Sequence, residues 1–497
     1  MKTQHKIIAI DQSTSATKVM LFNEQLSMEK RLNKDHRQYY PKPGWVEHDA
    51  EEIYNNVIAG VRELLQDQPT DGSVEYSLAL TNQRETVVVW NKTTGHPIAH
   101  AVVWQCMRGE DFCNQLKAEG YADMVREKSG LIIDPYFAGS GAKWLLDNVE
   151  GAREEAEHGN LLMGTIDSWL IWKLTEGKVH ATDVTNASRT LLMNIHTLQW
   201  DDDLLRLFTI PRSMMPEIKP CDDFYGTTTF DGLLAQPIRI AGVLGDSHGA
   251  LAGQMCFEKG LGKVTYGTGS SVMVNIGEDF SAAPKGLVTS MAFSALGHNF
   301  YAFEGNIHCT GATLKWLEQQ LNLIGSPDEV EAAARSVADN GGVYFVPAFA
   351  GLGAPWWNSD ARAAILGMSL ATTRAHVLRA ALESIAYQVT DLVKAMTNQA
   401  GVSLKEIRVD GGPTKNAFLM QLQADCLSVP VNCSDVEEAS ALGAVIMNGL
   451  ARGEWSDFGQ VAALRRSRWT RRPQADQAVI AQQIAGWQAA VHKVIGE

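Results

Sequence analysis

The sequence has no run of the roughly 18–20 consecutive apolar residues that a membrane-spanning helix requires. Its opening residues, Met1 to Lys6, carry neither the apolar core nor the small-residue cleavage site of a secretory leader, and they run directly into a strand-like segment. Cysteine is sparse. The seven cysteines (106, 113, 221, 256, 309, 426 and 433) are scattered, form no Cys-x-x-Cys, and sit in no Cys/His cluster with metal-ligand spacing. Disulfides and structural zinc are therefore not expected, and these residues read as small buried apolar groups in a reducing compartment. An excess of positive charge is also lacking: 43 Lys+Arg face 57 Asp+Glu, a net charge of −14. Nucleic acid and anionic membranes are excluded as main partners, because both need a basic face to neutralise phosphates. A local basic pocket for a phosphorylated ligand is still compatible with that total. Two common nucleotide signatures are missing as well. No Gly-x-x-x-x-Gly-Lys-Ser/Thr occurs, and no Gly-x-Gly-x-x-Gly opens a helix after a strand, which disfavours a P-loop NTPase and a dinucleotide-binding Rossmann domain. The expectation is a soluble cytoplasmic protein.

What is present is an ordinary globular composition, 45% apolar and 20% charged, on a chain of 497 residues that is too long for one core. Short β-branched runs alternate with amphipathic runs, the pattern of an α/β protein. Lys6–Ile10 reads as a buried strand, Asp11–Thr17 as a polar hydroxylic turn, and Lys18–Phe22 as a returning strand. The same layout recurs at Gly262–Tyr266, Gly267–Ser271 and Val272–Ile276. Two strand–small-loop–strand units half a chain apart predict a duplicated domain, each half beginning with a loop of phosphate size. A strand, Ile407–Asp410, a turn, Gly411-Gly412-Pro413-Thr414, and a helix from Lys415 to about Leu427 follow, with Thr414 as the expected N-cap. His376 to about Met396 is the longest clear helix, with Val377, Leu378, Ala381, Ile385 and Val389 as one apolar stripe. The glycine-rich stretch 241–260 reads as a crossing between lobes. The expected domains are 1–250, an acceptor-binding half, and 251–450, a nucleotide-binding half. Residues 451–497 would form a tail packed on the second half, with an exposed amphipathic helix at Ala475–Val494.

Phosphoryl transfer requires groups that hold phosphates, anchor Mg²⁺, accept a hydroxyl proton and orient the acceptor. Candidates for these parts are present. Asp11 closes the first strand where its carboxylate could hold hydrated Mg²⁺, and Thr14 and Lys18 could reach the β- and γ-phosphates. Alone, that turn reads more readily as a plain Asx or Ser/Thr turn. Gly267-Thr268-Gly269 alone is an ordinary hairpin turn, and the two loops gain weight only as a pair in corresponding places. In Leu80–Trp90 a polar segment interrupts two apolar runs, and Arg84 beside Glu85 suits recognition of adjacent hydroxyls; an exposed ion pair in a loop is the other reading. Trp104 could lie against a polyol skeleton or belong to the core, and Tyr136 could bind a hydroxyl or anchor a turn.

Several long segments, in order, resemble the FGGY family of carbohydrate kinases and, within it, the glycerol kinases. They are Tyr39–Asp49, Thr81–Thr86, Val103–Cys106, Ile133–Phe137, Thr182–Thr190 and Val346–Pro355, with Ala363–Gly367 and His376–Glu383 matching a second signature in spacing. The similarity spans about residues 6 to 450. It implies an actin/Hsp70-type architecture of two RNase H-like α/β domains flanking a nucleotide cleft, and an enzyme that uses ATP and Mg²⁺ to phosphorylate a small polyol or sugar. It places Thr14, Lys18, Thr268, Gly311, Gly412 and Asn416 on ATP-binding positions, with lysine at 18 where the family usually has arginine. Arg84, Glu85, Trp104 and Tyr136 fall on acceptor-binding positions and Asp246 on the catalytic base; Asp246 joins Asp11 as a metal candidate. A homo-oligomer, dimer or tetramer, is expected. Two departures concern the acceptor: Gly245-Asp246-Ser247-His248 stands where glycerol kinases read Gly-Asp-Gln-Gln, and Gly267-Thr268-Gly269-Ser270-Ser271 where they read Gly-Thr-Gly-Cys-Phe. Ser247 and Ser271 thus replace an amide and an aromatic wall, which points to glycerol or a somewhat longer polyol or ketose of four or five carbons. The competing classes are an actin/Hsp70-type ATPase that serves partner binding and a ligand-sensing pseudokinase without acceptor phosphorylation.

Overall fold

The structure, a computed structural model, describes residues 4–496; the expectations for Met1–Thr3 and for Glu497 lie outside the described residues. The chain forms two compact units. The first comprises Met1–Met255, Ser290–Tyr301 and Glu438–Leu464, and the second Cys256–Thr289, Ala302–Glu437 and Arg465–Glu497. Neither is one continuous stretch of sequence. Residues 451–464 cluster with the first unit, whereas 465–497 cluster with the second.

The first unit is built on a six-stranded sheet in the spatial order Phe224–Thr228, Ile238–Gly245, Val74–Asn82, Gln4–Gln12, Ala16–Asn23, Met28–Asp35. Gln4–Gln12 pairs antiparallel with Ala16–Asn23, in a register that sets Asp11 opposite Lys18, and parallel with Val74–Asn82. Ile8, Ile10, Val19, Leu21, Leu78 and Leu80 are fully buried. They pack with Ile53, Val57, Val61 and Leu64 of the helix Ala50–Leu65, whose N-terminus Asp49 caps by accepting from the Glu51 and Glu52 N–H groups. Each such aliphatic side chain contributes about 1.5–3 kcal/mol when fully buried, so this layer anchors the turn between the first two strands.

The second unit repeats the plan. Leu261–Tyr266 pairs antiparallel with Ser270–Gly277 and parallel with Glu406–Gly411, which pairs parallel with Val431–Ser434. In both units a hairpin lies beside two further parallel strands, the duplication expected from the two small-residue loops. Ser467–Arg471 adds an antiparallel edge strand within the expected tail. The longest helix is Arg374–Ala400, opened by a Thr373/His376 capping box and closed by Gly401 at φ +58°. A single apolar stripe underdescribes it, because every residue from Ala380 to Val393 is buried. Its polar groups are internally satisfied: Asp391, for example, accepts from Trp487 Nε1 at 2.7 Å. Trp487 belongs to the last helix, Gln477–Ile495, which is not simply exposed; Ile480, Ile484, Trp487, Ala490 and Val491 are buried.

One further expectation changes. The helix after Gly411 begins at Ala417, and its N-cap is Asn416, whose side chain accepts from Leu419 N–H at 2.9 Å. Thr414 lies instead in a 3₁₀ turn, Gly412–Lys415, and its hydroxyl donates to Gly411 O at 2.7 Å. Proline at 413 favours that tighter turn and delays the α-helix. The chain leaves the first unit at Met255 and enters the second at Cys256, inside the glycine-rich stretch 241–260, and Gly249 and Gly253 of that stretch also serve helix packing. A Cβ on Gly249 would lie 2.7 Å from Ser440 O, one on Gly253 1.9 Å from Ala439 O, and one on Gly443 2.0 Å from Gly249 O. Bare backbones thus let Asp246–Gly253 press against the helix Ala439–Ala451 within the first unit. All seven cysteines are buried free thiols. Among the described residues no helix is long and apolar enough to cross a membrane.

Candidate active site

In the first unit, Asp246 begins the helix Asp246–Gly253 directly after the strand Ile238–Gly245. Its carboxylate has two different sides. Oδ1 accepts from the Ser247 N–H at 2.6 Å and lies 3.3 Å from Arg84 Nε, which leaves Oδ2 for a ligand. The Asp246 side chain is 36% exposed, whereas those of Arg84 and Glu85 are 5% and 2% exposed. The exposed-ion-pair reading of Arg84 and Glu85 therefore fails: both are buried.

Glu85 adopts φ +62°, a costly conformation for a residue with a side chain. Its Oε1 lies 3.8 Å from Arg84 Nε and 2.5 Å from Arg189 Nε. Arg189 is itself buried and lies over the rings of Phe137 and Tyr136 at 5.0 and 5.8 Å. Tyr136 meets Trp104 edge-to-face at 5.5 Å, and Trp104 Nε1 donates to Thr14 Oγ1 at 3.0 Å. Tyr136 is also turn-anchored, its N–H bonding Asp134 Oδ1 at 2.9 Å. The strand that leads into Asp246 is fixed from the side: Asp183 caps the short helix Val184–Ala187, and Thr185 Oγ1 of that helix accepts from Gly245 N–H at 2.9 Å. Asn82 and Asn186 exchange reciprocal amide hydrogen bonds of 3.0 Å. His248 is buried behind the site, with Nε2 3.3 Å from Ser290 Oγ.

The hairpin turn of the first unit supplies the second cluster. Lys18 Nζ donates to Asp11 Oδ2 at 3.3 Å and to Glu438 Oε2 at 2.8 Å, and Arg31 pairs with Glu438 Oε1 at 2.7 Å. Burial works against the Lys18 charge, but Asp11 and Glu438 outweigh it and hold the ammonium protonated beyond its usual range. Asp11 Oδ1 is buried and has no partner. Burial pushes the Asp11 carboxyl up to about 6; Lys18 opposes the rise, and the charges of Asp246 and Glu438 add to it. A carboxylate in this position, with one orphaned oxygen and a second carboxylate near it, fits a hydrated divalent cation. Asp11 and Asp246 are the residues that would hold one.

In the second unit, Thr268, Gly311, Gly412 and Asn416 line one cavity of about 650 Å³. Leu314, Leu382 and Leu419 give it apolar walls, and Asp328, Lys315 and Lys415 stand at its polar side. A mostly apolar pocket with a few polar groups and two glycine loops suits a nucleoside with its phosphates. Ser271 belongs to this unit, where its hydroxyl accepts from the buried Lys263 Nζ at 3.1 Å. Thr14, Lys18 and Ser247 belong to the first unit.

Sequence reasoning gave no role to Arg189, Glu438 or Thr185. Arg189 and Thr185 lie in the polar run Thr182–Thr190, where an arginine among five hydroxyl or carboxamide side chains was the available signal. Glu438 had no local signal, since its partner Lys18 lies 420 residues earlier.

Comparison with known proteins identifies the family. Residues 6–253 match the N-terminal domain model of the FGGY family of carbohydrate kinases, and residues 262–452 match its C-terminal domain model. Glycerol kinase 1 of Thermotoga maritima is 47% identical over 491 residues, which cover 99% of this chain and 100% of that protein. The crystal structure of Plasmodium falciparum glycerol kinase with ADP superposes with a TM-score of 0.94 at 37% identity, covering 99% of this chain and 98% of that one. A ligand-bound xylulose kinase from Lactobacillus acidophilus shares the fold, with a TM-score of 0.88 at 20% identity, covering 99% and 98% of the two chains. With both domain models matched in order and near-complete coverage of its relatives, the chain belongs to the FGGY family of carbohydrate kinases.

Proposed function

We propose that the chain transfers the γ-phosphoryl group of ATP to a hydroxyl of a small polyol, glycerol or a four- to five-carbon relative, with Asp246 as the general base. The observation that carries this reading is the asymmetric carboxylate of Asp246. Arg84 and the Ser247 N–H hold Oδ1, and Oδ2 is free to accept a hydroxyl proton. Its partial exposure gives an acceptor access, while buried Arg84 and Glu85 cannot swing away.

The acceptor would lie with its carbon skeleton against Trp104 and Tyr136 and its hydroxyls toward Arg84, Glu85 and Asp246. Asp246 orients the attacking hydroxyl and takes its proton as the oxygen bonds to phosphorus and ADP departs. Lys18 and Thr14 would meet the phosphate oxygens, and Thr268, Gly311, Gly412 and Asn416 the nucleotide. Asp11 and Asp246 would hold Mg²⁺, which would supply charge neutralisation on the phosphates. Two small hydroxylic side chains, Ser247 and Ser271, support an acceptor longer than glycerol.

The test is ADP release measured with glycerol, erythritol, threitol, ribitol, xylitol and ketopentoses. Release that depends on a polyol supports the kinase. Release independent of any acceptor would support an ATPase instead, and a strong preference for glycerol in kcat/KM would remove the longer substrate.

A further inference from the structure

Apart from the nucleotide-sized cavity, the second unit has another, of about 430 Å³, lined by Arg335, Arg379, Phe418, Asp425, Arg471 and Gln483 among others. Three arginines converge on it, and they are not equivalent. Arg379 is engaged, with Glu383 at 2.7 Å and the carbonyls of Ala334 and Val337. Arg335 pairs with Glu331 at 2.8 Å. Arg471 has no acidic partner among the described residues, and its Nε is buried without a hydrogen bond. Gln483 Oε1 is likewise buried without a partner. Phe418 presents its ring between two guanidiniums, Arg379 at 5.0 Å and Arg335 at 5.6 Å. An unsatisfied buried N–H donor and an unsatisfied acceptor on the walls of one cavity mark places where a ligand supplies the missing partners. Guanidinium donors select an anion, and phosphate matches their fork geometry. The acceptor oxygen of Gln483 selects a hydroxyl.

This cavity is joined to the nucleotide cavity by Glu331. One carboxylate oxygen of Glu331 takes Arg335, and the other accepts the Ala417 N–H at 2.9 Å. Glu331 and Leu419 line the nucleotide cavity, whereas Phe418 and Leu422 of the same helix line the second one. An anion that draws Arg335 away from Glu331 therefore alters the carboxylate that fixes the start of the helix capped by Asn416. We propose that the second cavity is an effector site for a small hydroxylated phosphate ester, coupled to nucleotide binding through Glu331. The coupling half of the proposal rests on the nucleotide reading of the first cavity; the binding half does not.

Titration calorimetry on the full chain with glycerol 3-phosphate and with inorganic phosphate, each with and without saturating ADP, tests both halves. The ester is expected to bind, inorganic phosphate at least tenfold more weakly, and Arg471→Gln and Arg335→Gln each to weaken the ester at least tenfold. ADP affinity is expected to shift severalfold with the ester in the wild type and in neither arginine variant, while Glu331→Gln keeps ester binding and loses the shift. Circular dichroism melts confirm that the variants fold. Ester binding that survives both arginine substitutions but disappears in Arg84→Ala would be product in the acceptor site and would overturn the proposal. No ester binding, or equal binding of inorganic phosphate, would overturn it too. Absence of ADP binding with ester binding intact would instead refute the nucleotide reading.

Discussion

The aliphatic stem of Arg84 crosses directly over Gly245, the residue before Asp246: a Cβ at 245 would lie 2.5 Å from Arg84 Cγ and 2.8 Å from its Cδ. The missing side chain is what lets the guanidinium reach Asp246 Oδ1. Gly245→Ala is expected to push Arg84 off the carboxylate without disturbing the second unit. A displacement of about 1 Å at a reacting group costs on the order of 10²-fold in rate. Steady-state kinetics should show that loss in kcat/KM for the polyol, with ADP affinity unchanged.

Asp246→Asn retains size and the Ser247 N–H partner but removes the proposed proton acceptor. General-base catalysis is worth roughly 10²–10⁴-fold. Acceptor-dependent ADP release should fall within that range while the thermal midpoint holds. Turnover close to the wild-type value would mean that another group takes the proton.

The Glu85–Arg189 pair is a different kind of dependency. Both side chains are 2% exposed, so truncating one leaves a buried uncompensated charge, at a cost of roughly 3–5 kcal/mol. Arg189→Met should lose stability of that order in urea unfolding. Adding Glu85→Gln should recover part of it without restoring polyol binding.

His48 gives a pH signature. It is fully buried, with Nε2 2.7 Å from Gln38 Oε1, and burial, then the neighbouring His36, lowers its pKa from 6.5 to about 3. The folded chain keeps this ring neutral while the unfolded chain protonates it below 6.5, so its contribution is complete above pH 6.5 and is lost as pH falls toward 3. By pH 5 that loss is about 2 kcal/mol. In His48→Gln the decline in unfolding free energy between pH 7.5 and pH 5 should be smaller by about that amount.

The fold was legible where local pattern and tertiary environment agree. The hairpins around Asp11 and Thr268 announced themselves by strands that are buried on both faces, and the terminal helix by its periodic apolar residues. Phosphate-sized loops, the Arg84–Glu85 pair and the aromatic residues 104 and 136 were visible as polar or bulky interruptions of apolar runs. Burial of Arg84 and Glu85 was not, because it depends on Arg189, which folds in from a hundred residues away. Thr414 was a reasonable cap by residue type, but Pro413 holds it in a 3₁₀ turn and hands the cap to Asn416. Glu438, the partner of Lys18, could not be found from spacing at all.

The glycine contact between Asp246–Gly253 and Ala439–Ala451 also bears on the order of synthesis. A ribosome that has finished the segment matching the N-terminal family domain, which ends at residue 253, has made every acceptor-site candidate of the first unit. It is still almost two hundred residues short of the helix against which Asp246–Gly253 is pressed, and of Glu438. Until that late segment emerges, the smooth face formed by Gly249 and Gly253 has nothing to close on. A fragment stopped near residue 253 should thus hold its sheet yet leave Asp246 loosely placed, and adding a peptide spanning 438–464 should restore order to it. The first unit matures only when the nascent chain returns to it, so the enzyme is withheld from activity until translation is nearly complete.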